Sequence, residues 1–329
     1  MKQQEVEQFF DLLPRLKVVV VGDVMVDAYA WGQSDRMSPE APVPVVQIKR
    51  TENRPGGAAN VALNLAAMGV QVGLVSLVGN DAAGRELAAL LAQEGVPTDG
   101  LVVSDERPTT IKTRIMSGNR QLLRIDEEST ADASLKESAS VESAFLKTID
   151  GANAVIFQDY DKGVLQSENI AKLMAICEQK GIPTAIDPKK KNFFSYTGST
   201  LFKPNLKELG DALGVVLHKD DMPAIQKAVA QLQERIQPAA VLLTLSEAGV
   251  LFSSKANNGH LPAHIRSIAD VSGAGDTVIA VAGCALAAQL PLGTLAAMAN
   301  LAGGLVCEHL GVVPIKSDKL LAEALKNAE

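Results

Sequence analysis

The chain has 329 residues, of which 47% are hydrophobic but only 4% aromatic, and a formal charge of -7. That length suits one large α/β domain with a small appendage and an aliphatic, Ala-rich core, and the acid excess excludes the broadly basic surface by which proteins displace counterions from nucleic acid. Cys177, Cys284 and Cys307 lack CxxC spacing, the first residues carry acids where a secretion signal is basic, and no charge-free apolar run reaches the roughly 20 residues of a membrane span, so the expectation is a cytoplasmic protein with reduced thiols and neither nucleic-acid nor membrane partners.

In chain order, KVVVVG at 17–22 reads as a central strand buried on both faces. Asp23 and Asp27 follow at its carboxyl end. Two acids there can accept hydrogen bonds from vicinal hydroxyls, and a turn acid plus a solvated acid is the equally simple alternative. Residues 41–48 (APVPVVQI) read as extended. In RPGGAAN, Gly56 and Gly57 allow a ligand close to the backbone and Asn60 offers a donor and an acceptor at the head of a helix over 58–68, or they form a tight turn with a capping Asn. A strand at 72–78 and a helix at 84–94 precede a second extended stretch, 109–125, with a Ser-Gly-Asn turn at its centre. The two extended stretches are expected to pair as a small antiparallel lid.

Beyond the lid, strands at 154–158, 184–187, 200–203 and 240–245 alternate with helices at 167–180 and 223–236. Strands separated by helices imply a mostly parallel sheet covered by helices on both faces, with ligands at the carboxyl ends of the strands. In KPNLKE, Asn205 and Glu208 fall on one helical face, where they could reach a magnesium–phosphate group through water or form a capping box. The sharpest motif is DVSGAGD, residues 270–276, opening an apolar helix over 277–289 that should be buried all round. Backbone amides of Gly273, Ala274 and Gly275 at a helix N-terminus favour an anion. Asp276 beside them suits a base that takes a proton next to a phosphate in transit, or it caps the helix. A dinucleotide fingerprint is excluded by Val278 at its third glycine position, and no Gly-Lys-Ser/Thr of a Walker loop occurs.

Together these motifs resemble the ribokinase-like, or pfkB, family of carbohydrate kinases over essentially the whole chain. The resemblance implies one ribokinase-like α/β domain spanning 1–329, with a β lid from about 28–50 and 107–126. It implies ATP as co-substrate with Mg²⁺, and K⁺ as a further ion. Asp276 would be the base, with Gly273, Ala274 and Gly275 as anion hole. Asp23, Asp27, Gly56, Gly57, Asn60, Lys112, Arg124, Asp159 and Lys162 would bind the sugar. Lys189, Asn205, Glu208, Thr244, Ser246 and Gly249 would serve the nucleotide phosphates, with Asn205 and Glu208 reaching Mg²⁺ through water and Asp270 and Ser272 holding the monovalent cation. Leu245 replaces the basic residue of the family's TxSxxG motif, which removes a cation from that place.

Within the family, GDVMVDAYAWG, RMSPEAPVPVV, RPGGAANVALNLAAMG, RQLLRID, DYDKG and DPKK are similar to the heptose 7-phosphate kinases of lipopolysaccharide precursor synthesis. The activity so implied is ATP-dependent phosphorylation of the anomeric hydroxyl of D-glycero-β-D-manno-heptose 7-phosphate to the 1,7-bisphosphate. Among lid cations Lys112, Arg114, Arg120 and Arg124, a planar guanidinium at Arg124 is the first expectation for the distal phosphate. The four histidines never form the HxGH of a nucleotidyltransferase, so only the kinase step is expected. A homodimer joined through lid residues such as Val43, Val45, Ile111 and Ile115 would cover their apolar edges. Another sugar kinase of the fold, or a non-catalytic nucleotide- or sugar-responsive regulator, are the competing readings.

Overall fold

The computed structural model describes residues 1–118, 120–264 and 268–328. Its thirteen described strands are β1 (Lys17–Gly22), β2 (Val24–Met37), β3 (Pro44–Gly57), β4 (Gln71–Gly79), β5 (Leu101–Ser104), β6 (Ile111–Ser117), β7 (Arg120–Glu127), β8 (Ala154–Gln158), β9 (Thr184–Asp187), β10 (Leu201–Phe202), β11 (Ala240–Thr244), β12 (Val250–Ser254) and β13 (Asn258–Leu261). The helices are α1 (Gln3–Leu12), α2 (Ala58–Ala67), α3 (Ala82–Gln93), α4 (Leu135–Thr148), α5 (Ser167–Gln179), α6 (Leu206–Leu213), α7 (Met222–Ile236), α8 (Ala274–Ala287), α9 (Leu292–Val306) and α10 (Ser317–Lys326).

Nine strands form the main sheet in the order β13-β12-β11-β10-β9-β8-β1-β4-β5. Pairing from β5 through to β11 is parallel, and β12 and β13 add antiparallel pairs at one edge. The alternation of β1 divides the core. Val18 and Val20 face the apolar layer of α1, α2, α3, α8, α9 and α10, whereas Val19 and Val21 face that of α4, α5, α6 and α7. A strand buried on both faces needs no polar alternation, which is why KVVVVG is an unbroken aliphatic run. Helix α8 is buried along nearly its whole length, as its composition requires. No described helix is long and apolar enough to cross a membrane. Cys177 and Cys284 are buried free thiols, and Cys307 is a free thiol only half-buried.

The second sheet is the lid, ordered β3-β2-β6-β7. It departs from the expected pairing of 41–48 with 109–125. Strand β2 lies between those stretches, antiparallel to β3 but parallel to β6, because both β2 and β6 leave the main sheet in the same direction. Residues 38–43 form a bend rather than strand. The hairpin turn after β6 contains Gly118 with φ 57°, and Asn119 of that turn lies outside the described residues. Ile111 and Ile115 sit on the inner strand β6, so they are no edge, and Val45 is half-buried. The exposed apolar lid residues are Met37, Val43, Ile48, Leu123 and Ile125.

Candidate active site

The site forms where the parallel strands end. Gly273 caps α8 in the left-handed region at φ 79°, a conformation that favours glycine. The cap turns the chain so that Asp276 enters the first helical turn with its carboxylate pointing across to α2 and β8. Ala274 N–H donates to the Val271 carbonyl at 3.3 Å, so one of the three amides expected to hold an anion is engaged within the turn. Gly275 faces open space, since a Cβ there would meet nothing within 4 Å.

Asp276 is 5% exposed and accepts three hydrogen bonds. Asn60 Nδ2 donates to Oδ2 at 2.8 Å, and Gln158 Nε2 and Tyr160 OH donate to Oδ1 at 3.0 and 2.7 Å. Burial raises its pKa, the Asn60 and Tyr160 hydrogen bonds oppose the rise, and the charges of Asp187 and Asp27 add to it, leaving the carboxyl at about 6. The group is therefore mostly ionised at neutral pH yet basic enough to take a proton, which is the compromise that general-base catalysis needs.

Asn60 was expected on the sugar. Its amide instead serves the protein: Nδ2 goes to Asp276, and Oδ1 accepts from Asn64 Nδ2 at 3.2 Å. Asp23 likewise has internal partners. It is 1% exposed and its carboxylate accepts the backbone N–H groups of Tyr160, Lys162 and Val164, so it shapes the loop after β8. Asp159, fully buried, accepts from Tyr196 OH and from Asp161 N–H, and burial followed by the nearby Asp23 charge raises it to about 7. Both acids organise the loop.

Asp27 lies at the base of the lid. Its Oδ1 accepts from Arg114 on β6, and it lies against Gly56, where a Cβ would come within 2.2 Å of Oδ2. Gly57 has φ 60° and passes so close to the Asp23 carbonyl that a Cβ would sit 2.5 Å from it. Arg114, half-buried and stacked on the Tyr29 ring, is the lid guanidinium that faces the site. Arg124, directly opposite it on β7, is half exposed and forms a two-pronged pair with Asp126. Arg124, the first expectation for the distal phosphate, is thus more solvated than Lys112 or Arg114, with Asp126 as its partner. Lys112 and Lys162 converge on Glu128, with ammonium–carboxylate distances of 2.8 and 2.7 Å and little exposure of either lysine.

On the other side, Lys189 pairs with Glu208 and lies over the Tyr160 ring at 5.2 Å. Burial alone would lower it, but Asp187 and Glu208 hold its ammonium above the ordinary range. Asn205 and Glu208 form a reciprocal capping box on α6, the simpler of the two expectations, and Thr244 bridges to Asn205 across the strand ends. Ser246 and Gly249, with φ 54° and 89°, shape the tight turn into β12. Asp270 accepts from the amides of Ser272 and Gly311, which against its partial burial keep it below the usual carboxylate range.

Sequence reading missed Gln158 and Lys203 and gave Tyr160 and Asp187 no role. Gln158 and Asp187 are the last residues of β8 and β9, and Lys203 follows β10. The rule that ligands collect at the carboxyl ends of parallel strands was the signal that pointed to them. Lys203 and Asp187 form an ion pair at 3.0 Å with side chains 3% and 7% exposed.

The profile of the pfkB family carbohydrate kinases matches residues 15–319. The D-beta-D-heptose 7-phosphate kinase of Bordetella bronchiseptica is 38% identical over 95% of this chain and 97% of its own. The bifunctional protein HldE of Citrifermentans bemidjiense is 38% identical over 98% of this chain, which spans 66% of that longer relative. Among solved structures, phosphofructokinase-2 from Escherichia coli in complex with substrates and products superposes with a TM-score of 0.79 over 95% of this chain and 99% of that one. Arabidopsis thaliana ribokinase complexed with ribose and ATP does so with 0.73 over 94% and 99%. At 19% and 20% identity these two share the fold alone. With the family profile covering most of its length and close relatives aligned from end to end, the chain belongs to the pfkB family of carbohydrate kinases.

Proposed function

We propose that the chain phosphorylates the anomeric hydroxyl of D-glycero-β-D-manno-heptose 7-phosphate with ATP, giving ADP and the 1,7-bisphosphate, as a step toward ADP-heptose. The observation that carries the reading is a buried carboxylate, Asp276, set at a helix N-terminus under a lid whose inner face presents Arg114 and Lys112. The sugar lies between Asp27, Gly56 and Gly57 on one side and the lid on the other. Its hydroxyl faces Asp276, which takes the proton as the γ-phosphoryl group arrives in line, and the Gly273–Gly275 turn with Lys189 compensates the charge of the moving group.

Glu208 has one donor on each oxygen, Lys189 on Oε1 and the Asn205 amide on Oε2, so a free acceptor position remains on both. That donor set fits water-mediated contact with magnesium, which when bound supplies charge neutralisation on the nucleotide phosphates. Asp270, held ionised beside Ser272, fits a neighbouring monovalent cation such as K⁺. Thr244, Ser246 and Gly249 border the nucleotide. The protein works in the cytoplasm as a homodimer whose exposed Leu123 and Ile125 meet across the lids.

The distal phosphate is assigned to Lys112 and Lys162, which share Glu128 as an internal counter-ion in the absence of substrate. Substituting Lys162→Met should raise the KM for heptose 7-phosphate roughly tenfold, the loss of one charge-assisted contact, and leave the KM for ATP within twofold. Steady-state kinetics with each substrate varied checks this, and an unchanged sugar KM sinks the assignment. Phosphorus NMR of the product after incubation with ATP and heptose 7-phosphate tests the reaction itself, since a second phosphate, on the anomeric oxygen, has to appear beside the one at position 7.

A further inference from the structure

We infer that Gln158 and Tyr160 are positioning residues for the Asp276 carboxylate, and that by filling Oδ1 they leave Oδ2 as the atom that receives the substrate's proton. The inference rests on Asp276 being the base. An ionised carboxylate offers about four acceptor sites, two on each oxygen. On Oδ1 both are taken, by Gln158 Nε2 at 3.0 Å and Tyr160 OH at 2.7 Å. On Oδ2 one is taken, by Asn60 Nδ2 at 2.8 Å. Among the described residues the remaining acceptor site is on Oδ2, so a sugar hydroxyl can bind there without displacing any of the three donors. In the transfer, the hydroxyl proton passes to Oδ2, the sugar oxygen bonds to the γ-phosphorus, and the bond from that phosphorus to the β,γ-bridging oxygen breaks, its electron pair leaving with ADP.

Neither donor is free to turn. Gln158 is fully buried, and its amide nitrogen also donates to Asp187 Oδ2 at 3.2 Å, while its Oε1 has no partner. The opposite orientation would aim that carbonyl oxygen at two carboxylates, so the acids dictate how the amide stands, even with an acceptor left unsatisfied. Asp187 is held in turn by Lys203. Tyr160 is fixed at its backbone by Asp23 and at its ring by the Lys189 ammonium above it. A continuous run of contacts thus joins Lys203, Asp187, Gln158 and Asp276, and a second joins Asp23, Tyr160 and Asp276.

The charged groups around the base come from several elements: Asp187 at the end of β9, Asp27 on β2 with Arg114 of β6 paired to it, Lys189 beyond β9 and Lys203 beyond β10. Burial and then the two acids disfavour ionisation of Asp276, and the hydrogen bonds from Asn60 and Tyr160 favour it.

The test is the Asp276 carboxyl titration in the full-length protein, followed by ¹³C NMR on Asp-labelled samples and assigned by the signal lost in Asp276→Asn, together with kcat against pH using ATP and heptose 7-phosphate. Tyr160→Phe keeps the ring under Lys189 and removes only the hydroxyl, and Gln158→Leu keeps the volume. Each should move the titration upward by on the order of one pH unit. Turnover should then fall about fivefold at pH 6 and return close to wild type at pH 8, with the sugar KM unchanged. An unmoved titration in both variants, or a loss of turnover equal at every pH, overturns the inference. Near wild-type turnover in Asp276→Asn would instead overturn the base assignment, and the titration still reports on the donors in that case.

Discussion

Replacing Asp276 by Ala lowers kcat by about 10²–10⁴-fold, the usual contribution of a positioned general base, and leaves the affinity for ATP within a few-fold. The asymmetry follows from where the carboxylate sits. It faces Asn60, Gln158 and Tyr160, which belong to α2, β8 and the loop after β8, whereas Lys189 and Glu208, assigned to the nucleotide phosphates, meet one another. Removing the acid leaves three buried donors without an acceptor, a loss that water entering the vacated space can partly offset. Isothermal titration with an ATP analogue and a coupled ADP-release assay measure the two quantities separately. Turnover within threefold of wild type contradicts the assignment.

The second large effect is on stability. Lys203→Met should cost about 3–5 kcal/mol, because it strands Asp187 in a site where both side chains are almost wholly enclosed. The denaturation midpoint should fall with the m-value unchanged. Adding Asp187→Leu to that variant should recover much of the loss, since an apolar pair of similar volume removes the uncompensated charge. The double variant should still be a poor catalyst, as Gln158 then loses one of the two acids that orient its amide. A single variant as stable as wild type would show that solvent reaches Asp187.

The elements most legible in the sequence were those whose physics is local. KVVVVG, AVIFQ and TAID are short β-branched or apolar runs, and each became a strand at its expected place. DVSGAGD marked the start of α8 because left-handed backbone at Gly273 and an all-apolar sequence afterwards admit few other structures. Strand β2 was read as a motif and not as fourteen residues of strand, since its polar outer half, GQSDRM, has no core face to impose alternation. Its parallel pairing with β6 depends on residues more than eighty positions apart, beyond any local pattern.

The sequence expectation and the structure bring Asp276, Asp27, Gly56 and Gly57 to one strand-end region, where residue type and strand-end position coincide. At Asp23, Asn60 and Asp159 the structure adds internal partners that the sequence did not reveal. An acid or amide at a strand mouth is chemically suited either to a ligand or to the loop beside it, and only the three-dimensional count of donors decides. Asp23 accepts three backbone amides and Asn60 joins Asp276 to Asn64. Lysine and arginine on the lid were equally ambiguous until the structure paired the Arg114 guanidinium with Asp27 and left Arg124 half exposed beside Asp126.

Strands β2 and β3 each run fourteen residues, roughly 45 Å of extended chain, from the rim of the lid to the head of α2. Their ladder is unbroken from Val24 paired with Gly57 up to Trp31 paired with Arg50, and its register shifts all lie further out. Such a ladder acts as a stiff lever planted next to the base. With the register shifts confined to the outer half, amide exchange should be slow from Val24 to Ala30 and faster beyond Gly32, so that the inner half, with Asp27 on it, moves as one piece with the head of α2.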